Sequence, residues 1–240
     1  MKYNPNLLYM SKIKNTNIDF VFFVDRFLGY GMATTGIWEE EITNFLIDDF
    51  CFKNKKYSGN VIHIGANMGY YVRLLGKLCP NLESYSFEPH PEIYKVLKIN
   101  SRDLKNAYIY QYAISNFRGV CKFYCNDLNS GHNYLCLDDS YKNDEAGTII
   151  EVPVKRITDF NIKFKETKLI IIDIEKNHQI ILEELQNLIL PGTVVIVENN
   201  DIDPEFINNN YIKDKMDDKA ITKFNSHILY KKVYNEYLSY

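Results

Sequence analysis

Residues 60–89, NVIHIGANMGYYVRLLGKLCPNLESYSFEP, decide the fold of this 240-residue chain. An apolar run ends at Ile64, a small-residue turn follows at 65–69, and a helical pattern leads to a second run that ends at Glu88. This order is typical of a βαβ unit that binds a nucleotide or nucleoside. We expect the turn to approach a ligand closely, the helix to offer backbone N–H groups, and Glu88 to accept hydrogen bonds from two ribose hydroxyls. An adenosine-bearing ligand is therefore the first hypothesis.

Composition indicates one compact domain, with residues 1–50 as an N-terminal cover and 51–240 as a Rossmann-like domain. The chain is 46% hydrophobic and 25% charged, which is enough for a full core. A net charge of −3 argues against a protein built to hold nucleic acid. The apolar runs are too short to span a bilayer, and the N-terminus lacks a signal-peptide pattern, so a cytoplasmic protein is expected. The five cysteines have no zinc or redox spacing and are expected to be reduced thiols.

Outside the first βαβ unit, strand and helix patterns continue to alternate. Strands are predicted at 61–64, 83–87, 108–113, 169–172 and 193–197, and helices at 39–50, 70–79, 91–100 and 177–190. Extra strands are predicted at 120–124 and 148–154, an antiparallel edge strand at 227–233, and a polar loop at 126–144 that could cover a substrate. The pattern predicts an α/β fold with a doubly wound, mostly parallel sheet, which binds its ligands at the carboxyl ends of the strands.

At this point the chain resembles the FkbM family of class I S-adenosylmethionine-dependent methyltransferases. The likeness covers about residues 36–199, and it depends on the order of several segments because a single glycine-rich turn is weak evidence. The segments are GIWE at 36–39, VIHIGANMGYY at 61–71, FEPHPEIYKVLKIN at 87–100, YAIS at 112–115, NSGHNYL at 129–135, VPVKRITDF at 152–160, IDIE at 172–175 and VIVEN at 195–199.

The resemblance implies S-adenosyl-L-methionine as the cofactor and assigns a role to each matching position. The implied positions are Gly65, Ala66, Asn67 and Gly69 for the methionine part, Glu88 for the ribose, Pro89 and the Ala113 backbone for the adenine, Glu39 for the amino group, and Asp173 for closing the pocket. These roles suit the ligand, because carboxylates stabilise a sulfonium and an ammonium, and backbone amides hold a carboxylate.

The chain departs from the family pattern at three positions. His63 stands where the family usually has an acid. The family's DxEG, followed by an apolar residue and a glutamate, becomes DIEKNH at 173–178, so that Lys176 replaces the glycine and His178 replaces the acid. Lys176 could obstruct a ligand, or the acceptor site could be reshaped. A catalytically silent binding or scaffolding protein is therefore kept as the alternative to an enzyme.

Transfer to a hydroxyl requires alignment of donor and acceptor and removal of a proton. The candidate catalytic residues at the carboxyl edge of the sheet are His178, His132 and Asp173, with Glu175 as a further carboxylate. A metal is not expected, although Asp173, Glu175, Glu198 and Asn199 would offer oxygen ligands. The NAD-type alternative fits less well because the turn lacks the full G-x-G-x-x-G pattern.

The preferred hypothesis is an O-methyltransferase that acts on a small-molecule or glycan hydroxyl. The glycan follows from the resemblance, since no residue of the sequence identifies the acceptor. The expected partner is this small-molecule or glycan acceptor. Neither a membrane span nor a nucleic-acid partner is expected, and a homo-oligomer is compatible with the sequence.

Overall fold

The computed structural model describes residues 2–54, 56, 58–138, 147–198, 211–213 and 227–232. The strands are β1 Leu8–Lys12, β2 Asp19–Phe23, β3 Gly59–Ile64, β4 Leu82–Phe87, β5 Ala107–Tyr110, β6 Ala113–Ile114, β7 Gly119–Asn126, β8 Tyr134–Leu135, β9 Gly147–Lys155, β10 Thr167–Ile172, β11 Val194–Glu198, β12 Tyr211–Lys213 and β13 His227–Lys232. The helices are α1 Leu28–Thr34, α2 Glu40–Asn44, α3 Phe52–Asn54, α4 Tyr70–Leu78, α5 Pro91–Ser101 and α6 His178–Leu185.

The central sheet confirms the predicted doubly wound fold. Its strand order is β12-β13-β11-β10-β3-β4-β5, and β3, β4, β5, β10 and β11 run parallel. The order reverses between β3 and β10, which is where such sheets bind their ligands. The predicted antiparallel strand is present as β13, but it is not at the edge, because β12 pairs with its outer side.

The sheet is covered on both faces, and its two innermost strands alternate between the two cores. Val61 and Ile171 pack with α4 and α5 on one face. Ile62 and Ile170 pack with α6 on the other face. Strands buried on both faces appear as continuous apolar runs in a sequence, and this is why β3 and β10 could be recognised.

The N-terminal segment contains strands that were not predicted. Strands β1 and β2 form an antiparallel hairpin, and Phe20 and Phe23 of β2 share a core with Val61 and Leu74 of the main domain. The helix predicted at 39–50 is present as α2, followed by a π-helical stretch at Phe45–Cys51. The cover is therefore part hairpin and part helix, and it shares a core with one face of the sheet.

A second sheet, ordered β6-β9-β7-β8, lies beyond the edge strand β5. It contains the two extra strands predicted from the sequence. The single strand predicted at 108–113 is instead divided, because the chain leaves the central sheet after Tyr110 and Ala113 pairs with Val154 of β9. The loop predicted at 126–144 is described as far as residue 138, and the rest of it lies outside the described residues.

In the part of the chain that the structure describes, no helix combines the length and apolarity needed to cross a membrane. All five cysteines are free thiols.

Candidate functional site

Glu88 joins the carboxyl ends of β3 and β4. It directly follows β4, it is 5% exposed, and its two carboxylate oxygens accept hydrogen bonds from the backbone N–H of Asn67 at 2.9 Å and of His90 at 2.8 Å. Burial raises the pKa of Glu88 to about 7, and the two N–H groups oppose that rise. Each carboxylate oxygen has a second lone pair with which it can accept from a ligand.

The backbone N–H groups of the turn at 65–69 already have hydrogen-bond acceptors within the protein. The N–H groups of Gly65 and Ala66 both donate to the carbonyl of Phe87, and that of Gly69 donates to Ala66. The N–H of Met68 donates to the side chain of Asn67 at 2.7 Å. The N–H groups of the turn are therefore not the backbone donors that we expected a ligand to meet. Those donors must come from the first turn of α4, where helix geometry leaves N–H groups without a carbonyl partner.

The two glycines of the turn adopt left-handed conformations, and backbone packing also excludes a side chain at Gly65. Gly65 has a φ of 83°, and Gly69 has a φ of 85°. A Cβ on Gly65 would overlap the backbone carbonyl of Asp173, and a Cβ on Gly69 would press against the side chain of Leu97. Gly65 thus allows β3 and β10 to end side by side. Gly69 faces α5 and is absent from the described walls of both cavities below.

The first cavity lies at the ends of β3 and β4. It is mostly apolar and carries two carboxylates and one lysine. Its described walls are formed by Ile64, Gly65, Asn67, Phe87, Glu88, Pro89, Tyr112, Ala113, Ile114, Ser115, Phe123, Ser130, Gly131, Asn133, Leu135, Asp173, Ile174, Lys176 and Asn177. It brings together six of the predicted positions, which are Gly65, Asn67, Glu88, Pro89, Ala113 and Asp173.

The second cavity lies beside the first, at the end of β3. The two share Gly65, Asn67, Gly131 and Asp173. Its described walls are formed by Phe27, Leu28, Trp38, Glu39, His63, Gly65, Ala66, Asn67, Tyr70, Tyr71, Asn129, Gly131, His132, Asp173 and Glu175. Asp173 therefore lies at the junction of the two spaces, and the N-terminal cover forms one wall of the second.

Glu39 is held in the second cavity by Tyr71. The Tyr71 hydroxyl donates to a carboxylate oxygen of Glu39 at 2.6 Å. Burial and then the charge of Glu39 raise the pKa of Tyr71 well above its usual value, so the phenol remains a donor. Glu39 itself has a φ of 41° as the residue before α2.

Asp25 is a buried carboxylate that the sequence did not single out. One of its oxygens accepts from the N–H of Phe27 and of Gly29, at 3.2 and 2.8 Å. The other accepts from both the N–H and the hydroxyl of Ser130, at 3.0 and 2.5 Å. Ser130 lies 3.3 Å from the Asn67 side chain. Asp25 thereby ties the N-terminal cover and the loop after β7 to the turn at 65–69.

The two candidate histidines occupy different environments. His132 lies in the wall of the second cavity, with Nδ1 3.3 Å from a carboxylate oxygen of Glu175. His178 begins α6, is 0% exposed, and is absent from the described walls of both cavities. The structure therefore brings His132, Glu175 and Asp173 together and leaves His178 in the core.

Lys176, which stands where the family has a glycine, lies in the wall of the first cavity. Its ammonium lies 3.7 Å from the centroid of the Tyr134 ring, an arrangement in which the ring face attracts the cation. The left-handed residues of this segment are its neighbours, Glu175 with a φ of 66° and Asn177 with a φ of 69°. Position 176 therefore does not need the conformational freedom of glycine.

Among the residues that the structure describes, five non-glycine residues have a positive φ, and four of them lie at this site, namely Glu39, Asn67, Glu175 and Asn177. Such conformations cost energy and persist where surrounding contacts hold them, which is frequent at functional sites.

Among the described residues, no group of three or more His, Cys, Asp or Glu side chains is arranged to hold a metal ion. Asn199, one of the metal ligands considered above, lies outside the described residues.

Solved structures with a similar chain path include a methyltransferase, a methylase and a protein in complex with S-adenosylmethionine. A precorrin-6y C5,15-methyltransferase from Geobacter metallireducens GS-15 is 10% identical over 83% of this chain and 92% of that chain, with a TM-score of 0.45. An rRNA methylase from Streptococcus thermophilus is 10% identical over 78% and 93%, with a TM-score of 0.45. A mutant of MtNAS in complex with S-adenosylmethionine is 7% identical over 86% and 67%, with a TM-score of 0.47.

No curated protein matches the chain at a significant level. A match to a family model is found, and it is described as a methyltransferase FkbM domain and covers residues 63–229. The matched range includes both strand ends that carry Glu88 and Asp173, and it extends over more than half of the 240 residues. The chain therefore belongs to the FkbM methyltransferase domain family.

Proposed function

We propose that this protein is an S-adenosylmethionine-dependent O-methyltransferase that acts on a hydroxyl of a small molecule or a carbohydrate. The observation that carries the proposal is the position of Glu88. Its buried carboxylate is fixed by the N–H groups of Asn67 and His90, and it lines a cavity that shares Asp173 with a second one. A carboxylate at the end of the second parallel strand suits a ribose diol.

The charges of the two cavities fit this cofactor. The first is mostly apolar, with Phe87, Pro89 and Ala113 in its wall, and suits an adenine ring. The second carries Glu39 near the first turn of α4, and the carboxylate suits an ammonium while the helix start suits a carboxylate. Asp173, at the junction, is placed to stabilise positive charge between the two ends of the ligand.

S-adenosylmethionine supplies a methyl group on a positively charged sulfur, so the protein has to align the acceptor and remove its proton. His132 is the residue proposed to take that proton, because it lies in the wall of the second cavity. Glu175, 3.3 Å from Nδ1 of His132, would hold the proton on that nitrogen and leave the lone pair of the neutral ring on Nε2. Of the catalytic candidates, this choice sets aside His178, which is buried in the core.

Calorimetry with S-adenosylhomocysteine tests the cofactor assignment. Replacing Glu88 by alanine removes the proposed ribose contact, and we expect affinity to fall by at least about tenfold, since hydrogen bonds to a charged group are worth about 1.5–3 kcal/mol. Glu92→Ala is the matched control, because Glu92 is a partly exposed glutamate on α5 that pairs with Lys95. Equal affinity of wild type and Glu88→Ala would contradict the ribose assignment.

Catalysis needs a second measurement, since a silent binding protein would also bind the cofactor. Wild-type protein is incubated with S-adenosylmethionine labelled on the methyl group and with a small-molecule and glycan extract of the source cells. Transfer of label to extract components supports the enzyme. Tight cofactor binding with no transfer would favour the binding or scaffolding alternative.

A further inference from the structure

Two neighbouring residues after β10 contact two residues of the segment that leads into β8. A carboxylate oxygen of Glu175 lies 3.3 Å from Nδ1 of His132. The ammonium of Lys176 lies 3.7 Å from the centroid of the Tyr134 ring. The rings of His132 and Tyr134 in turn meet edge to face, with their centroids 6.3 Å apart and their planes at 82°. The four side chains therefore form one connected cluster.

Tyr134 is the rigid member of this cluster. It is 1% exposed, and its ring stacks on that of Tyr124 with the centroids 5.0 Å apart. The two tyrosines also lie opposite each other in the pairing of β7 with β8. The face of an aromatic ring attracts a cation, and the attraction increases when water is excluded from the contact. Tyr134 therefore offers Lys176 a fixed surface against which to lie.

Glu175 occupies the centre of a strained turn. Its φ is 66°, and the N–H of Lys176 donates to the carbonyl of Ile174 at 2.8 Å. This bond closes a three-residue turn, and such turns are rare and strained when the central residue has a positive φ. A strained conformation persists only where surrounding contacts hold it. Lys176, the last residue of the turn, provides such a contact through Tyr134.

The contact between Glu175 and His132 needs this support. The side chain of His132 is 46% exposed and that of Glu175 is 16% exposed. An ion pair that is partly open to water is weak and does not by itself hold two side chains in one geometry. A histidine that takes a proton has to keep one tautomer and one orientation. The position of the Glu175 carboxylate therefore matters, and that position depends on the turn.

We propose that Lys176 is a positioning residue for methyl transfer, because its contact with Tyr134 holds the turn at 174–176 and thereby keeps Glu175 on Nδ1 of His132. The role of His132 as the base rests on the proposed function, whereas the effect of Lys176 on the His132 ring does not. Lys176 itself takes no part in the chemical step, in which the proton of the acceptor passes to His132.

Rates of label transfer test the proposal. Lys176→Met removes the charge and retains most of the side-chain length, and we expect the rate at saturating S-adenosylmethionine, with the extract as acceptor, to fall by about tenfold. Lys176→Arg keeps a cation that lies well on an aromatic face and should stay within about twofold of the wild type. Lys165→Met is the control, since Lys165 is an exposed lysine at the opposite end of β10, and it should also stay within about twofold.

A double variant separates positioning of His132 from a general structural role. If Lys176 acts through His132, adding Lys176→Met to His132→Gln should cause no further loss of rate, since the group that it positions is already gone. Losses that multiply in the double variant would overturn the proposal. Equal rates for the wild type and Lys176→Met would overturn it as well.

The ring nitrogens of His132 can be observed by NMR without any methyl transfer. The signals that are missing from His132→Gln identify this ring in protein with isotope-labelled histidine. We expect a proton on Nδ1 in the wild type, changed ring shifts in Lys176→Met and unchanged ones in Lys165→Met. Identical His132 signals in the wild type and Lys176→Met would overturn the proposal. Changed signals in Lys176→Met, together with no label transfer by the wild type, would support the effect of Lys176 and overturn the proposed function.

Discussion

Gly65 packs against the backbone carbonyl of Asp173 so closely that a methyl group cannot fit between them. The glycine of the turn is therefore needed where two parallel strands end together. From the sequence, we expected this glycine to be needed for the close approach of a ligand. The consequence is that the cofactor turn and the segment after β10 have to form as one unit.

Replacing Gly65 by alanine should destabilise the fold more than replacing Gly192. Both residues have positive φ, 83° and 88°, but a Cβ on Gly192 has no neighbour within 4 Å. We expect Gly192→Ala to cost about 1–2 kcal/mol from backbone conformation alone, and Gly65→Ala about 3–5 kcal/mol because two backbones must separate. Urea denaturation measures both, and equal losses would show that the carbonyl of Asp173 yields easily.

Removing the Asp25 carboxylate should weaken both the fold and cofactor binding. Four donors lose their acceptor in Asp25→Ala, so we expect a loss of about 3–5 kcal/mol in the free energy of unfolding. S-adenosylhomocysteine affinity should fall as well, because Ser130 and Asn67 lose their common support. Asp19→Ala is the control, since that exposed carboxylate pairs only with Lys12 among the described ion pairs, and it should cost at most about 1 kcal/mol. Unchanged affinity in Asp25→Ala would limit Asp25 to a purely structural role.

Cofactor affinity should rise with pH between about 5 and 7. The folded pKa of Glu88 is about 7, against an ordinary value of 4.5, so the carboxyl is mostly protonated below neutrality. Ribose hydroxyls donate better to the charged form, and binding should therefore release a proton. Calorimetry in buffers of different ionisation enthalpy measures that release. Glu88→Gln should remove it, and a release that persists in this variant would assign the proton to another group.

The same shift predicts how stability changes with pH. Because folding raises the pKa of Glu88, its stabilising contribution is fully present below pH 4.5 and is lost as the pH rises through about 7. The full difference is on the order of 3 kcal/mol. Denaturation of wild type and Glu88→Gln between pH 5 and 8 should show a steeper fall for the wild type. Parallel curves would contradict the raised pKa.

Replacing His132 and replacing His178 should have different effects on the rate of methyl transfer. His132→Gln should lower the rate of label transfer at saturating donor by about 10²-fold while donor affinity stays near the wild-type value. His178→Gln should mainly lower the free energy of unfolding, since His178 is fully buried at the start of α6. Should His178→Gln abolish transfer in a protein of normal stability, the assignment of the base to His132 would be wrong.

The parts of the site that lie within one short stretch of the chain could be predicted from the sequence. The turn at 65–69 and Glu88 are set by one βαβ unit, whose apolar runs and glycines lie within 30 residues. The family resemblance, and with it the fold class, is confirmed by the family match and by the strand order. Asp173 follows β10 and lies in the wall of the first cavity, because strand ends of a parallel sheet meet at one edge. Ala113 also lies in that wall, although it belongs to β6 of the second sheet.

The parts that depend on distant contacts could not be predicted. Asp25 and Ser130 are 105 residues apart in the chain, and nothing local marks either as a partner of the other. Both His132 and His178 come after a predicted strand in the sequence. Which of the two reaches the cavity depends on the path of the loop after each strand. The hairpin of β1 and β2 was not predicted, because β1, LYMSK, does not alternate apolar and polar residues and is exposed along most of its length.

The contribution of the N-terminal cover has a practical consequence for how the protein is shortened or grafted. The family match begins at residue 63, and a gene trimmed to that boundary would lack most of β3 as well as Asp25, Phe27, Trp38 and Glu39. Such a fragment would keep Glu88 and lose one wall of the second cavity. Chimaeras that exchange the first 58 residues between relatives would keep β3 whole and would exchange that wall along with the cover.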